Sequence, residues 1–348
     1  MLNMEVKIGT HNGPFHADDV MACAMLKKHP NYKNAKIERT REESILDQCD
    51  IVVDVGRRFS HQARRYDHHQ EDFDLTMEKI SRGKIKSKTK LSSAGLIFFY
   101  YGEEIIREEI IKEEDRSKAK IVWIWKRMYF NLINEIDLID NKGSVPAIIR
   151  TGFTRRVGRL NPAWDDAEPD YDQSFVKAVD LASEEFRETL EEIHSQFRAM
   201  LAVKEKISDR EKDHKSGQVL IFDRYTSWSS IIGEVEMEAG IKGTIMFVIN
   251  PYTDSGDFSV STVNNRILLP FKWRGLEGEK LQKATGLAGA KFVHNGGHFA
   301  RIDNKEDAVR MVDMVLDMGG VRPIREGEKD ELGTGERDKL TWRRTKHS

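Results

Sequence analysis

The first 55 residues alternate short apolar segments with helical ones. The stretches "VKIG", "AKIER" and "IVVDV" have the pattern of buried strands, whereas the residues from Asp18 onward and the brief "REESILDQ" segment have helical spacing. Strands that alternate with helices are typical of parallel sheets, because each crossover packs a helix against the sheet. The sequence therefore predicts an α/β fold in which helices flank a parallel sheet.

The rest of the chain divides into further segments. Residues 118–140 place apolar side chains at three- and four-residue steps, which predicts one long helix, and a second helical stretch covers about 173–206. Strand patterns such as "VLIF", "TIMFVIN" and "FSVSTV" then alternate with helices again. We therefore predict a catalytic domain over 1–172, a helical connector over 173–216, a smaller α/β domain over 217–318 and a disordered polar tail over 319–348.

Composition limits the partners and the compartment. The net charge of −2 gives no global attraction for a polyanion, so a nucleic acid would have to use a local patch. The two cysteines form no CxxC motif, which favours buried thiols in a reducing compartment. No run of about 18 apolar residues is present, so we expect no membrane contact. A strand begins almost at the N-terminus, leaving no room for a signal or transit peptide, so we expect cytoplasm or nucleus, with mitochondria as the alternative.

Histidines and aspartates cluster after the predicted strands, where ligands bind in open α/β sheets. Each also has a structural interpretation: Asp19 suits a helix start, Asp54 suits a turn, and adjacent histidines are commonly inert. Together, imidazole and carboxylate groups suit divalent ions such as Mn²⁺, and two ions roughly 3.5–4 Å apart need a bridging carboxylate. The residues that could supply such ligands are His11, His16, Asp18 and Asp19 around the first helix start, Asp54, the Asp67-His68-His69 segment, and Asp137 and Asp140, which share one helix face.

Eight segments in combination resemble a known family. They are "IGTHNGPFHADD", "CDIVVDVG", "RYDHHQ", "TKLSSAGLI", "EIDLIDN", "LNPAWDD", "FKWRGL" and "FVHNGGHFA". They resemble the Myg family (melanocyte-proliferating-gene exonuclease) within the DHH phosphoesterase superfamily, from about residue 6 to about 316. The resemblance implies a DHH-type catalytic domain followed by a DHHA-like domain. It also implies two divalent ions, Mn²⁺ first and Mg²⁺ as the alternative, and a hydrolase that removes nucleotides from the 3′ end of single-stranded RNA.

The resemblance also implies roles for single residues. His11, His16 and Asp18 match the first motif and Asp54 the second, as the bridging ligand. The third motif is Asp67, His68 and His69, and the fourth is Asp137 or Asp140, with Asp140 favoured. His69 would contact the phosphate beside His68 and Asp54, which makes these three the catalytic residues. The chain departs from the superfamily in placing His16, not aspartate, before Ala17 and Asp18, which lowers the negative charge of the site.

Substrate contacts follow from three other segments. The "NGGH" sequence resembles a glycine-rich substrate loop, with Gly296, Gly297 and His298 preceded by His294. Arg155 and Arg156 belong to the densest basic stretch of the chain, which suits an RNA path or an ordinary solvated surface. Ser92 and Ser93 are expected first as helix caps and second as phosphate contacts.

Two other functions fit the same residues. The first is hydrolysis of a small substrate, such as pyrophosphate, a cyclic dinucleotide or a short oligonucleotide, because cleft shape sets the substrate length. The second is a non-catalytic RNA-binding protein on the same fold, in which the histidine-for-aspartate change marks lost catalysis. An assembly of identical subunits stays open.

Overall fold

The computed structural model describes residues 5–110, 117–142, 151–252 and 256–319. The chain forms two compact units that divide between Arg198 and Ala199. This division falls inside the long helix that the predicted connector anticipated, and the predicted domain limits at 172 and 216 stay predictions. The predicted tail lies outside the described residues from position 320 onward.

The first unit confirms the predicted α/β fold. Its five strands are ordered β2-β1-β3-β5-β4, and every neighbouring pair is parallel except β4 with β5, a short antiparallel edge pair. Its elements are β1 (Lys7–Thr10), α1 (Ala17–Lys28), β2 (Lys36–Arg39), α2 (Glu43–Leu46), β3 (Ile51–Val53), β4 (Phe59–Ser60), β5 (Arg65–Tyr66), α3 (Met77–Ile80), α4 (Ser93–Glu109), α5 (Lys118–Met128), a π-helical turn (Tyr129–Ile133), α6 (Asn134–Lys142), α7 (Phe153–Gly158) and α8 (Tyr171–Asp213).

Helix α1 is buried on nearly all sides. Ten of its twelve residues, from Ala17 to Leu26, are buried, because the helix packs against both the sheet and α4. A helix that is enclosed in this way carries apolar side chains on all sides and not on one face only. The two acidic residues in its first turn, Asp18 and Asp19, are therefore buried carboxylates at the edge of the core.

The predicted helix over 118–140 is confirmed, with one local change. It consists of α5 and α6 joined by the π-helical turn at Tyr129–Ile133. Such turns insert an extra residue into the helix and often occur at functional sites. Here the turn leads directly into α6, which carries Asp137 and Asp140.

The second unit is an α/β structure with its own core. Its strands are ordered β6-β7-β8-β10-β9, and only β6 and β7 are parallel. Its elements are β6 (Val219–Ile221), α9 (Ile232–Glu238), β7 (Phe247–Pro251), β8 (Phe258–Thr262), a 3₁₀ turn (Phe271–Trp273), α10 (Gly278–Thr285), β9 (Ala290–Val293), β10 (Phe299–Ile302) and α11 (Lys305–Asp317). Among the helices of the described ranges, none has the length and apolar character needed to cross a bilayer.

Candidate metal centre

Three adjacent parallel strands end at the same edge of the first sheet. His11 follows β1, Asp54 follows β3, and the Asp67-His68-His69 segment follows β5. The chain from β1 enters α1 here, so the first helical turn adds its two aspartates to the same edge. Residues far apart in the sequence therefore meet because β1, β3 and β5 are neighbours in the sheet.

Asp54 lies at the centre of this cluster. Its Oδ2 is 3.4 Å from Nε2 of His11, and its Oδ1 is 3.3 Å from Nε2 of His68. The Ser93 hydroxyl at the start of α4 donates a 3.3 Å hydrogen bond to Oδ1. The residue has a φ of 55°, a left-handed conformation that aspartate and asparagine adopt more readily than most residues. Because its two oxygens face different histidines, the Asp54 carboxylate has the arrangement of a bridging ligand.

On one side of Asp54, His11 and Asp19 complete a group of three ligand-type residues. The Asp19 Oδ2 lies 3.3 Å from His11 Nε2, while its Oδ1 accepts a 2.8 Å hydrogen bond from the backbone N–H of His16. Both interpretations of Asp19 therefore apply, since one oxygen stabilises the helix start and the other faces the cluster.

On the other side, His68 gathers two further carboxylates. Its Nε2 lies 3.2 Å from Asp140 Oδ2 and 3.6 Å from Asp18 Oδ2, and the three residues form a second group of ligand type. Asp18 reaches this group from α1 and Asp140 from the last turn of α6. The Asp54 carboxylate connects these two groups, and it also forms a third such group with His68 and His69, whose Nδ1 lies 3.5 Å from Asp54 Oδ1.

Several buried polar atoms here make no hydrogen bond within the described residues, although some lie at ion-pair distance from one another. They are both carboxylate oxygens of Asp18, Oδ2 of Asp19 and both ring nitrogens of His68. A cluster of buried carboxylates whose hydrogen bonds are not satisfied is costly unless it coordinates a cation. Four carboxylates with two imidazoles are also the donor set that borderline divalent metals prefer. The residues present therefore fit divalent cations, which would be held by His11, Asp19 and Asp54 on one side and by Asp18, His68, Asp140 and Asp54 on the other.

Proximity of the opposite charges changes the pKa values of these groups. Burial lowers the pKa of His11, but Asp54 and Asp19 outweigh it and raise the pKa to about 9. Burial also opposes the charged form of His68, yet Asp18 and Asp54 raise its pKa to about 10. Burial and the negative charge of Asp18 raise the pKa of Asp140 to about 8. The two histidines outweigh burial at Asp54 and hold the pKa of its carboxyl below the usual range.

Asp67 orients His69 and is not a member of either group. Its Oδ1 accepts hydrogen bonds from the His69 backbone N–H at 3.1 Å and from Nδ1 of the same ring at 2.7 Å. Its Oδ2 accepts a 2.6 Å bond from the backbone N–H of Arg57. The hydrogen bond from Asp67 raises the pKa of His69, whose side chain is 56% exposed. This arrangement favours a positioning role for Asp67 over the predicted role of a metal ligand.

Asp137 and Asp140 point to different surroundings. Asp137 is fully buried and accepts hydrogen bonds at Oδ1 from the Ser92 backbone N–H (2.9 Å) and hydroxyl (2.7 Å). The Ser92 Oγ in turn accepts the Gly95 N–H, so it caps α4 as expected. Burial raises the pKa of Asp137 to about 7. The geometry favours Asp140 as the fourth-motif ligand and gives Asp137 a structural role at the start of α4.

The fit between Asp137 and α4 makes a stability prediction at Gly95. Replacing a glycine inside a helix with alanine normally raises the free energy of unfolding by about 0.5–1 kcal/mol. At position 95, however, a Cβ would lie 2.4 Å from Asp137 Oδ1. We expect Gly95→Ala to lower the free energy of unfolding by about 1–3 kcal/mol, measured by denaturant titration. The matched control is Gly158→Ala, where a Cβ would meet nothing within 4 Å. Equal stability of the two variants would contradict this packing.

Other predicted site residues lie outside the two groups. His16 is exposed, with its ring 6.1 Å from that of His11. In α7, Arg155 is exposed and Arg156 forms a 2.8 Å ion pair with Glu185. Their roles as a metal ligand and as substrate contacts stay predictions.

The predicted glycine-rich loop connects β9 to β10 in the second unit. A Cβ on Gly296 would lie 2.7 Å from Nδ1 of His298, and one on Gly297, whose φ is 70°, would lie 2.5 Å from Nε of Arg274. His294 and His298 are exposed, with ring centroids 4.3 Å apart. The left-handed φ and the close approach of the Leu269 carbonyl favour glycine at position 297, whereas at position 296 only exposed histidine side chains would have to move. The substrate contacts of the loop stay a prediction.

The sequence matches the family model of the MYG1 exonucleases, described as Uncharacterised protein family (UPF0160), over residues 7–316. This chain belongs to the Myg family. Mouse (Mus musculus) MYG1 exonuclease is 37% identical over 326 residues, covering 89% of this chain and 84% of the mouse protein. The human (Homo sapiens) MYG1 exonuclease is 36% identical, with coverage of 89% and 85%. The MYG1 protein of Saccharomyces cerevisiae is 32% identical, with coverage of 90% and 96%.

Two solved structures share a more distant similarity with this Myg-family chain. A pGpG-specific phosphodiesterase from Vibrio has a TM-score of 0.27 at 11% identity, covering 90% of this chain and 98% of its own. RecJ from Thermus thermophilus in complex with Mn²⁺ has a TM-score of 0.24 at 14% identity, covering 93% of this chain and 54% of its own.

Proposed function

We propose that this Myg-family protein is a metal-dependent 3′–5′ exonuclease that acts on RNA. The observation that carries the proposal is the position of Asp54, whose two carboxylate oxygens face different histidines between two groups of potential ligands. A carboxylate with one oxygen toward each group would suit a pair of divalent ions that act together on a phosphodiester bond. The relatives named exonucleases support a hydrolase of phosphoester bonds. The preference for RNA and for the 3′ end is the finer part of the proposal.

When bound in this cluster, divalent ions such as Mn²⁺, or Mg²⁺ as the alternative, would supply Lewis-acid activation of water and neutralisation of phosphate charge. Asp54 is suited to hold such ions because it stays ionised. Its orientation is fixed by the Ser93 hydroxyl, which lies at the N-terminal end of α4.

His69 is the residue placed to contact the substrate. Its Nδ1 is held by Asp67, so the ring has a fixed orientation, and the side chain is 56% exposed. The pKa raised by Asp67 favours the protonated ring. A protonated imidazole at the edge of the cluster can donate a hydrogen bond to a phosphate oxygen as negative charge develops there. We therefore assign His69 the stabilisation of the phosphate.

The proposal is tested by following the degradation of RNA that is labelled at a known end. A 5′-labelled single-stranded RNA is incubated with the full chain and Mn²⁺, in parallel with a 3′-labelled RNA and a single-stranded DNA of the same sequence. We expect a ladder of shortened 5′-labelled products and immediate release of a labelled nucleotide from the 3′-labelled strand. DNA is expected to react more slowly.

Each of the other outcomes would contradict a different part of the proposed function. A ladder from the 3′-labelled strand alone would reverse the direction, and equal rates on DNA would remove the RNA preference. Cleavage of a dinucleotide without cleavage of longer RNA would favour the small-substrate alternative. No cleavage of any substrate, with or without Mn²⁺, would favour a non-catalytic protein.

A further inference from the structure

Residues 81–100 contain five basic residues and no acidic one. Within them, the segment 84–90 alternates lysine with other residues, and we call it the lysine segment. Lys84, Lys86 and Lys88 are exposed, whereas Ile85 and Ser87 between them are buried. The lysines therefore share the solvent side of the segment because the intervening residues are fixed in the core.

The lysine segment is held in place along its length. The Ser87 hydroxyl donates a 2.9 Å hydrogen bond to Asn134, and the Ser87 carbonyl accepts the backbone N–H of Glu78 at 3.0 Å. The Ile85 backbone N–H donates to the Ser81 hydroxyl at 3.0 Å. Fixed backbone positions mean that the lysines do not have to be ordered from a flexible loop when a ligand binds.

One end of the lysine segment adjoins the metal centre. The Lys90 carbonyl accepts a 2.9 Å hydrogen bond from Asn141, the residue after Asp140. The Lys90 ammonium lies 5.4 Å from the ring centroid of Phe73, which is 6.3 Å from that of His68. Ser92 and Ser93 follow directly and begin α4. The segment therefore extends from the candidate site toward Lys84.

The charge of the segment is available to a ligand. Across the described ranges, none of the four lysines has an ion-pair partner within 4.0 Å, whereas the nearby Asp74 is paired with Lys79. A row of unpaired ammonium groups that starts at a phosphoester-hydrolysing site is complementary to a chain of phosphates. Lysine contacts to phosphates depend on charge and carry no sequence information.

Building on the function proposed above, we propose that the lysine segment binds the phosphodiester backbone of a single-stranded nucleic acid whose end lies in the metal centre. Lys90 contacts the phosphates nearest the cleaved bond, and Lys88, Lys86 and Lys84 contact those further along the strand. This contact gives longer strands an advantage over dinucleotides, which are too short to reach the exposed lysines.

The test compares the variant K84Q/K86Q/K88Q with wild type and with the control K33Q/K118Q/K177Q. The control removes the same charge from three exposed lysines of the same unit. The kcat/KM for a 12-nucleotide RNA and for a dinucleotide is measured with Mn²⁺ over a range of NaCl concentrations. Unchanged thermal melting of both variants ensures that folding is not the cause of any loss.

We expect K84Q/K86Q/K88Q to have a kcat/KM for the 12-nucleotide RNA that is at least about tenfold below that of wild type at low salt. Its loss on the dinucleotide should be far smaller. The slope of log(kcat/KM) against log[NaCl] for the longer RNA is expected to fall by about 2, because each phosphate contact on a single strand contributes about 0.7. The control variant keeps the wild-type slope.

Two negative results are distinguishable. If wild type cleaves RNA but the lysine variant has the wild-type slope and the same loss at both lengths, the lysine segment is not the backbone contact while the proposed function stands. If wild type cleaves neither substrate, the proposed function fails and this inference fails with it.

Discussion

Replacing Asp54 with asparagine is expected to reduce kcat/KM on RNA by at least about 10³-fold. Loss of a single group that stabilises the transition state costs about 10²–10³-fold in other enzymes, and Asp54 faces both groups of ligands. Asparagine keeps the shape of the side chain and tolerates the left-handed φ of 55°. The variant should therefore fold normally and lose only the charge.

The matched control is Asp47→Asn, which neutralises an exposed carboxylate just before β3. It should keep wild-type activity and melting temperature. Asp54→Asn with activity within tenfold of wild type would show that the central carboxylate is not part of the chemistry.

The second prediction with a large effect distinguishes the role of Asp140 from that of Asp137. Asp140→Asn removes an oxygen 3.2 Å from His68 and should weaken Mn²⁺ binding by more than the 10–100-fold that outer-sphere changes cause. Its thermal stability without metal should hold or rise, because burial and the negative charge of Asp18 both oppose ionisation of Asp140, as its pKa of about 8 reflects.

Asp137→Ala should behave in the opposite way. It leaves the buried Ser92 backbone N–H and hydroxyl without their acceptor, at a cost of about 1–3 kcal/mol for each group. We expect a melting temperature lower by several degrees and the smaller loss of Mn²⁺ affinity. Calorimetric titration and thermal melting of both variants measure the two quantities, and a reversed pattern would make Asp137 the ligand.

The sequence predicted the fold and much of the cluster because both depend on local patterns. Alternating strands and helices indicate a parallel sheet, and residues that end parallel strands converge at one edge. His11, Asp54 and His68 could therefore be selected from their positions after strands. The antiparallel edge strand β4 has only two residues, which is too short for an alternating pattern.

Other features depend on contacts that a sequence does not contain. Asp137 and Asp140 are three residues apart on one helix, so only the packing of α6 against α4 distinguishes them. The position of Asp19 in the sequence suits a helix start, and only the structure shows that one oxygen faces the helix start while the other faces the cluster. The direction of the His16 side chain depends on the loop after β1, which has no regular pattern.

The lysine segment has a clear signal in the sequence. Residues 81–100 contain no acidic residue, and lysines occupy four alternate positions within them. Their common orientation depends on the burial of Ile85 and Ser87, which only the structure provides.

The central proposal is that the cluster binds two divalent ions and that the Asp54 carboxylate is needed to hold both. The most direct measurement is the metal content of the purified full chain after equilibration with Mn²⁺ and removal of free ion, by elemental analysis, for wild type and Asp54→Asn. The account predicts two Mn²⁺ per wild-type chain and loss of both in the variant. A wild-type chain that retains no metal, or a variant that retains as much as wild type, would contradict it.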